Sequence, residues 1–142
     1  MNAPDADDRH RWYGEGFEEW SRGGFTACLG SVFRRVSENG AALRVRVSVG
    51  HCNAHGCAHG GFLATLADVA LAQGIACRLS RDARIVTVNL DVTYLRCVSM
   101  GSVVETRAEC LHAGTRVMTV RGELCVGGEP HVIARGLFAR IA

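Results

Sequence analysis

Between Val47 and Cys77 the chain carries a single Asp, Glu or Arg, and it is Asp68. That carboxylate sits in Phe62–Cys77, a run apolar on nearly every face when wound as a helix. None of the residues three or four positions away (Ala64, Thr65, Leu71, Ala72) can pair with it as an ion. A helix apolar all round is buried by the rest of its fold. An isolated charge on such a helix is expensive to bury. It is either paired with a group distant in sequence or kept for chemistry.

The approach to this helix is a polar, glycine-bearing loop, His51-Cys-Asn53-Ala-His55-Gly56-Cys57-Ala-His59-Gly60-Gly61. Gly60 and Gly61 fall where the helix begins. The free N–H groups of a helix N-terminus form a donor-rich, positive end suited to a developing oxyanion. Asp68 lies eight residues beyond Gly60, about 12 Å along the axis at ~1.5 Å per residue. Both groups can act on one substrate atom only if Asp68 comes from a second, roughly antiparallel copy of the helix. The spacing therefore points to a symmetric dimer with composite sites.

Residues 1 to about 8 read as a disordered tail, and Asp8–Arg22 as a short helix marked by Trp12, Phe17 and Trp20, ended by Gly23-Gly24. Together, residues 1–24 form an N-terminal tail and helix ahead of one domain over 25–142. The domain opens with strands at Cys28–Ser37 and Ala42–Val49, joined through Asn39-Gly40, a hairpin signal. Leu43, Val45, Val47 and Val49 alternate with Arg44, Arg46 and Ser48, which implies one buried face and one wet face. Four further strands follow the helix: Ile85–Leu95, Ser102–His112, Arg116–Val126 and His131–Ile141. Two strands, one long buried helix and four strands predict an α+β fold, a curved antiparallel sheet wrapped around the helix.

A net charge of +2 gives no electrostatic case for nucleic acid or a membrane surface. All 16 basic residues are Arg, so Lys nucleophiles and Schiff bases are excluded. The seven Cys are scattered, with no Cys-x-x-Cys, and the N-terminus is acidic and lacks the apolar stretch of a secretory signal. These features predict a reduced, cytoplasmic setting in which most Cys act as small core residues. His51, Cys52, His55, Cys57 and His59 place five possible metal ligands in nine residues. They interleave on one short loop with no second cluster, unlike structural zinc sites, so no metal is expected.

The pattern Asn53-x-x-Gly56-x-x-His59-Gly60-Gly61, followed by Leu66-x-Asp68 and by Thr87-Val-Asn-Leu-Asp-Val-Thr-Tyr94-Leu95, resembles the hotdog-fold acyl-CoA thioesterases of the phenylacetic-acid-pathway (PaaI-like) type. The resemblance runs from about Phe25 onward. It departs where Ala54 follows Asn53 and Cys97 follows Arg96, positions at which the family often has Pro.

What the resemblance implies is a hydrolase that cleaves an aryl- or fatty-acyl-CoA to free acid and CoA. Asp68 would be general base or nucleophile, and the Gly60 N–H would polarise the carbonyl. Asn53 would set local geometry, Thr87 would hold the attacking water, and His59 would order or cap the helix start. Gly61 and Phe62 would border the substrate. Such an enzyme needs no cofactor beyond the CoA of its substrate and works as a homodimer or a homotetramer. The competing expectation is an acyl-CoA-binding hotdog protein without catalysis, because fold does not settle function.

Overall fold

The computed structural model describes residues 4–141; the part of the expected disordered tail at residues 1–3 lies outside them. In chain order the elements are α1 (Ala6–Gly14), β1 (Glu18–Trp20), β2 (Val32–Ser37), β3 (Gly40–Arg46), α2 (Gly60–Ile75), β4 (Arg84–Tyr94), β5 (Val103–Ala113), β6 (Val117–Val126) and β7 (Glu129–Ile141). All strands join one antiparallel sheet in the order β1-β2-β3-β5-β6-β7-β4.

Helix α2 lies across the inner face of this sheet. Its Leu63, Leu66, Ala67, Ala70, Leu71 and Ile75 are buried with Leu43, Val45, Val104, Met118, Val120 and Phe138 from the strands. Each fully buried Leu, Ile or Phe contributes roughly 1.5–3 kcal/mol. The expected α+β hotdog arrangement is the one observed. Helix and sheet approach closely at Gly74, where a Cβ would stand 2.5 Å from the Ala108 Cβ. Gly40 faces the same spot, and its Cβ would meet the Gly74 carbonyl oxygen at 2.7 Å. Only glycine fits at both points.

The N-terminal part differs from the sequence expectation. Helix α1 begins at Ala6, capped by the Asp5 carboxylate, which accepts from the Asp8 N–H at 2.8 Å. Asp8, expected at the edge of a disordered tail, is 4% exposed and ion-paired with Arg11 and Arg46. The helix stops at Gly14, and Gly16 takes a φ of 86°, which turns the chain. Glu18–Trp20, read as helix, thereby pairs with β2 as a seventh strand. Trp12 and Phe17 still bury together, against Phe33.

Two other boundaries move. Gly23, Gly24 and Gly30 all adopt positive φ around a 3-10 turn at Gly24–Leu29, so β2 starts at Val32 and not Cys28. Strand β3 ends at Arg46 because Val49–His51 winds into a second 3-10 turn.

The cysteines also require correction. Cys57 and Cys97 are joined in a disulfide, Cys28 and Cys77 are exposed, and only Cys125 is buried among the five free thiols described. Core packing fails as a general reading because Cys28 and Cys77 fall on 3-10 turns outside the sheet-helix layer.

Candidate active site

The start of α2 is shaped by its own sequence. His59 is the N-cap residue, and its Nδ1 accepts the Gly61 N–H at 2.8 Å. In this bond Nδ1 acts as the acceptor and presents its lone pair to the helix start. Gly60 is the first helical residue and has no acceptor for its N–H among the described residues. The Tyr94 hydroxyl donates to the Gly60 carbonyl oxygen at 2.7 Å and holds this turn against the end of β4. A Cβ on Gly60 would crowd that hydroxyl at 3.2 Å.

Asn53 organises the loop beneath. Its Oδ1 accepts from the His55 N–H at 2.9 Å and the Cys57 N–H at 3.2 Å, an Asx-turn. The Cys57–Cys97 bond then ties this loop to the segment after β4. Gly60 opens on a shallow cleft of about 300 Å³ shared with Ala58, Leu63, Tyr94 and Cys97. Asp68 is not on that cleft.

Asp68 lies half-buried on α2 with its Oδ1 accepting the Thr87 hydroxyl at 2.7 Å. Thr87 reaches it from β4, whose pairing with β7 is offset between Thr87 and Asn89. That bulge re-aims the strand next to the carboxylate. A hydroxyl that donates to a carboxylate keeps its lone pairs for a water hydrogen. The pair opens on a cleft of about 370 Å³ whose walls include Trp20, Val69, Ile85 and Phe138.

The remaining candidates go elsewhere. Phe62 stacks on His51, with ring centroids 4.0 Å apart, and neither of the two clefts includes it. His51 is buried and accepts the Ser48 N–H on Nδ1 at 3.1 Å. Burial pushes its pKa down; the Cys28 and Leu29 carbonyls oppose this without closing a hydrogen bond to Nε2. His51, Cys57 and His59 thus have separate tasks in the loop, and among the described residues no cluster suited to a metal forms.

The structure brings together Asp68 with Thr87, and His59 with Gly60 and Gly61, in two separate places on the chain. In the sequence Tyr94 stands only as part of the family pattern, and neither Gln73 nor Trp20 is marked for the Asp68 cleft. No local signal marks them.

A sheet wrapped around a helix in this way has relatives among known proteins. A family model described as "Thioesterase superfamily" matches residues 55–132, more than half of the chain. The chain belongs to the thioesterase superfamily. It is 31% identical over 111 residues to "Putative esterase PA0474" of Pseudomonas aeruginosa, covering 78% of this chain and 83% of that protein. Among solved structures, a mutant of the phenylacetic acid degradation protein PaaI from Thermus thermophilus superposes with a TM-score of 0.72 at 30% identity. That match covers 82% of this chain and 98% of the other. A Bacillus halodurans protein, BH2602, crystallised with CoA, matches with a TM-score of 0.66 at 27% identity, over 70% of this chain and 66% of that one. PaaI-like hotdog thioesterases are thus the structural company of this superfamily member.

Proposed function

We propose that this thioesterase-superfamily protein hydrolyses acyl-CoA thioesters, in sites each built from two subunits. The observation that carries the reading is the Asp68 carboxylate, held by the Thr87 hydroxyl at 2.7 Å and open to a cleft whose walls mix apolar side chains such as Val69, Ile85 and Phe138 with Arg22 and Arg81. A water accepted into that pair is aligned by Thr87 and deprotonated by Asp68 as it attacks the thioester carbonyl. The oxyanion that develops is met by the Gly60 N–H of the other subunit's α2, aided by the helix N-terminal dipole. Collapse of the tetrahedral intermediate breaks the carbon–sulfur bond. The proton on Asp68 passes to the departing thiolate, leaving free acid, CoA and the carboxylate restored. A direct attack by Asp68, through an anhydride, uses the same geometry.

Three features support the composite site. Gly60 and Asp68 open on different clefts of one chain. Their separation of about 12 Å along α2 is too long for one carbonyl to bridge. Strand β4 is an 11-residue sheet edge exposed along most of its length, with Val88 57% exposed. A long apolar edge is a pairing surface, and an antiparallel β4–β4 contact about a two-fold axis brings each Thr87 near the partner. A homotetramer would add a second, face-to-face contact between such dimers. The CoA bound to BH2602 supports a CoA ester as ligand. The proposed setting is the cytoplasm, where a disulfide such as Cys57–Cys97 would be a redox-responsive bond.

The test is free-thiol release from a panel of aryl- and fatty-acyl-CoAs by the wild type and Asp68→Ala, with assembly measured by light scattering. Loss of ~100-fold or more in a mutant that still dimerises is the expected result. Acyl-CoA binding without turnover in the wild type would replace the enzyme with a non-catalytic binding protein. Single turnover in ¹⁸O-water separates base from nucleophile, because only the anhydride route leaves label on Asp68.

A further inference from the structure

The Cys57–Cys97 disulfide stands at the Gly60 cleft. Cys97 is exposed and lines that cleft with Gly60 and Tyr94, whereas Cys57 is half-buried and forms no part of its wall. Backbone hydrogen bonds already join the two segments on either side of the link. The Ala58 N–H donates to the Val98 carbonyl at 2.7 Å, and the Met100 N–H to the Gly56 carbonyl at 3.1 Å. Opening the sulfur–sulfur bond therefore leaves the two thiols held near each other and able to close again. An accessible disulfide whose partners stay together when it opens is suited to reversible exchange with an incoming thiolate.

The proposed hydrolysis makes such a thiolate in the same cleft. The sulfur that leaves is bonded to the carbon whose oxygen the Gly60 N–H would meet. At about 300 Å³ the cleft is at the small end of ligand sites, so the thiol is released close to Cys97. We propose that Cys97 is a modification site for CoA, at which the protein's disulfide exchanges with the CoA thiol. The inference rests on the acyl-CoA reading of the Gly60 cleft and adds a second reaction there. The CoA thiolate attacks Cys97 Sγ, the Cys57–Cys97 bond breaks, and its electron pair leaves on Cys57 Sγ, which takes a proton from water. The product is a Cys97–CoA mixed disulfide. A second CoA thiolate attacks the CoA sulfur of that bond, releasing CoA disulfide and the Cys97 thiol. In balance, two CoA thiols are oxidised and one protein disulfide is reduced, with no other oxidant or reductant. Run in reverse, the reduced protein turns CoA disulfide back into CoA, with Cys97 as the attacking thiol and Cys57 as the resolving one.

The experiment has two arms, both on the intact protein. In the first, oxidised wild type is mixed with CoA or with glutathione at equal concentration and quenched in acid. The thiols of Cys57 and Cys97 are then followed by alkylation and peptide mass mapping. CoA is expected to open the pair about tenfold faster or more, because a bound thiol reacts within its complex, and S-methyl-CoA, which has no thiol, should suppress the difference. In the second arm Cys57→Ser leaves Cys97 without a resolving partner, so CoA disulfide should load CoA onto it as a stable adduct, ahead of glutathione disulfide. This arm reads the site even where the wild-type equilibrium favours the closed bond. Cys28 and Cys77, exposed and outside the cleft wall, are internal references in the same digest. Equal reaction of CoA and glutathione compounds in both arms, no effect of S-methyl-CoA, or loading of Cys97 no faster than of Cys28 and Cys77 would overturn the proposal. Selective exchange in a protein that hydrolyses no acyl-CoA would sink the hydrolase reading and keep the CoA site; hydrolysis with unselective exchange would do the opposite.

Discussion

Thr87 is one hydroxyl, and its removal is a narrow perturbation. Thr87→Val keeps the shape of the side chain on β4 and leaves Asp68 without its donor. The expected result is a fall in kcat of about 10–100-fold with little change in KM, since a water-positioning contact matters to the transition state more than to substrate binding. Thr87→Ser should recover most of the loss. Steady-state kinetics on one acyl-CoA checks both. Asp68 was legible in the sequence because a lone charge on an apolar helix stands out by arithmetic. Gly60 and Thr87 were legible through the family pattern. The contacts of Gln73 and Tyr94 were not, for a common reason. Gln73 gains its orientation from Arg34, 39 residues away, and Tyr94 its role from Gly60, 34 residues away. Nothing in the neighbouring residues of either records such a partner.

Helix α2 shows which elements declare themselves. A glycine-bearing loop, a capping His59 and an unbroken apolar run locate its start, and the structure begins it at Gly60 as the sequence predicts. The segment from Asp8 to Arg22 reads as one helix because its aromatics fit one, yet Gly14 and Gly16 break it and hand Glu18–Trp20 to the sheet. The closeness of α2 to β5 yields a prediction of its own. Gly74→Ala gains up to about 1 kcal/mol of helix propensity, but its methyl would collide with Ala108. The net expectation is destabilisation of about 1–3 kcal/mol, read as a lower urea midpoint. His51, in the turn before the loop, gives the element a pH response. Its folded pKa lies below the ordinary 6.5 because of burial. Above that value both folded and unfolded chains hold it neutral, and no stability is at stake. As pH falls below it the unfolded chain takes up the proton first, so stability declines until the lowered folded pKa is passed. A His51→Asn variant, measured by urea unfolding from pH 8 to pH 5, should show a flatter dependence.

For the whole molecule, the Cys57–Cys97 link closes a ring across α2 and β4, with a sequence separation of 40. Chain-entropy reasoning gives the closure a stabilising effect of up to about 4 kcal/mol. Cys97→Ser should lower the unfolding midpoint accordingly, and the unreduced, denatured wild type should titrate five thiols from its seven cysteines. The long exposed edge of β4 makes a second copy part of the proposed enzyme, so specific activity should fall on dilution through the dimer dissociation constant. The placement of Gly60 and Asp68 on separate clefts has one more consequence, which belongs to genetics. In the proposed composite site, Gly60→Pro would remove the N–H that meets the oxyanion, at a first-turn position that suits proline provided the Tyr94 hydroxyl shifts by a few tenths of an ångström, and Asp68→Ala would remove the carboxylate. Each mutant alone has two dead sites. A mixed dimer gathers both lesions into one site and leaves the other whole, so two null alleles expressed together should complement, restoring about a quarter of wild-type activity when subunits pair at random.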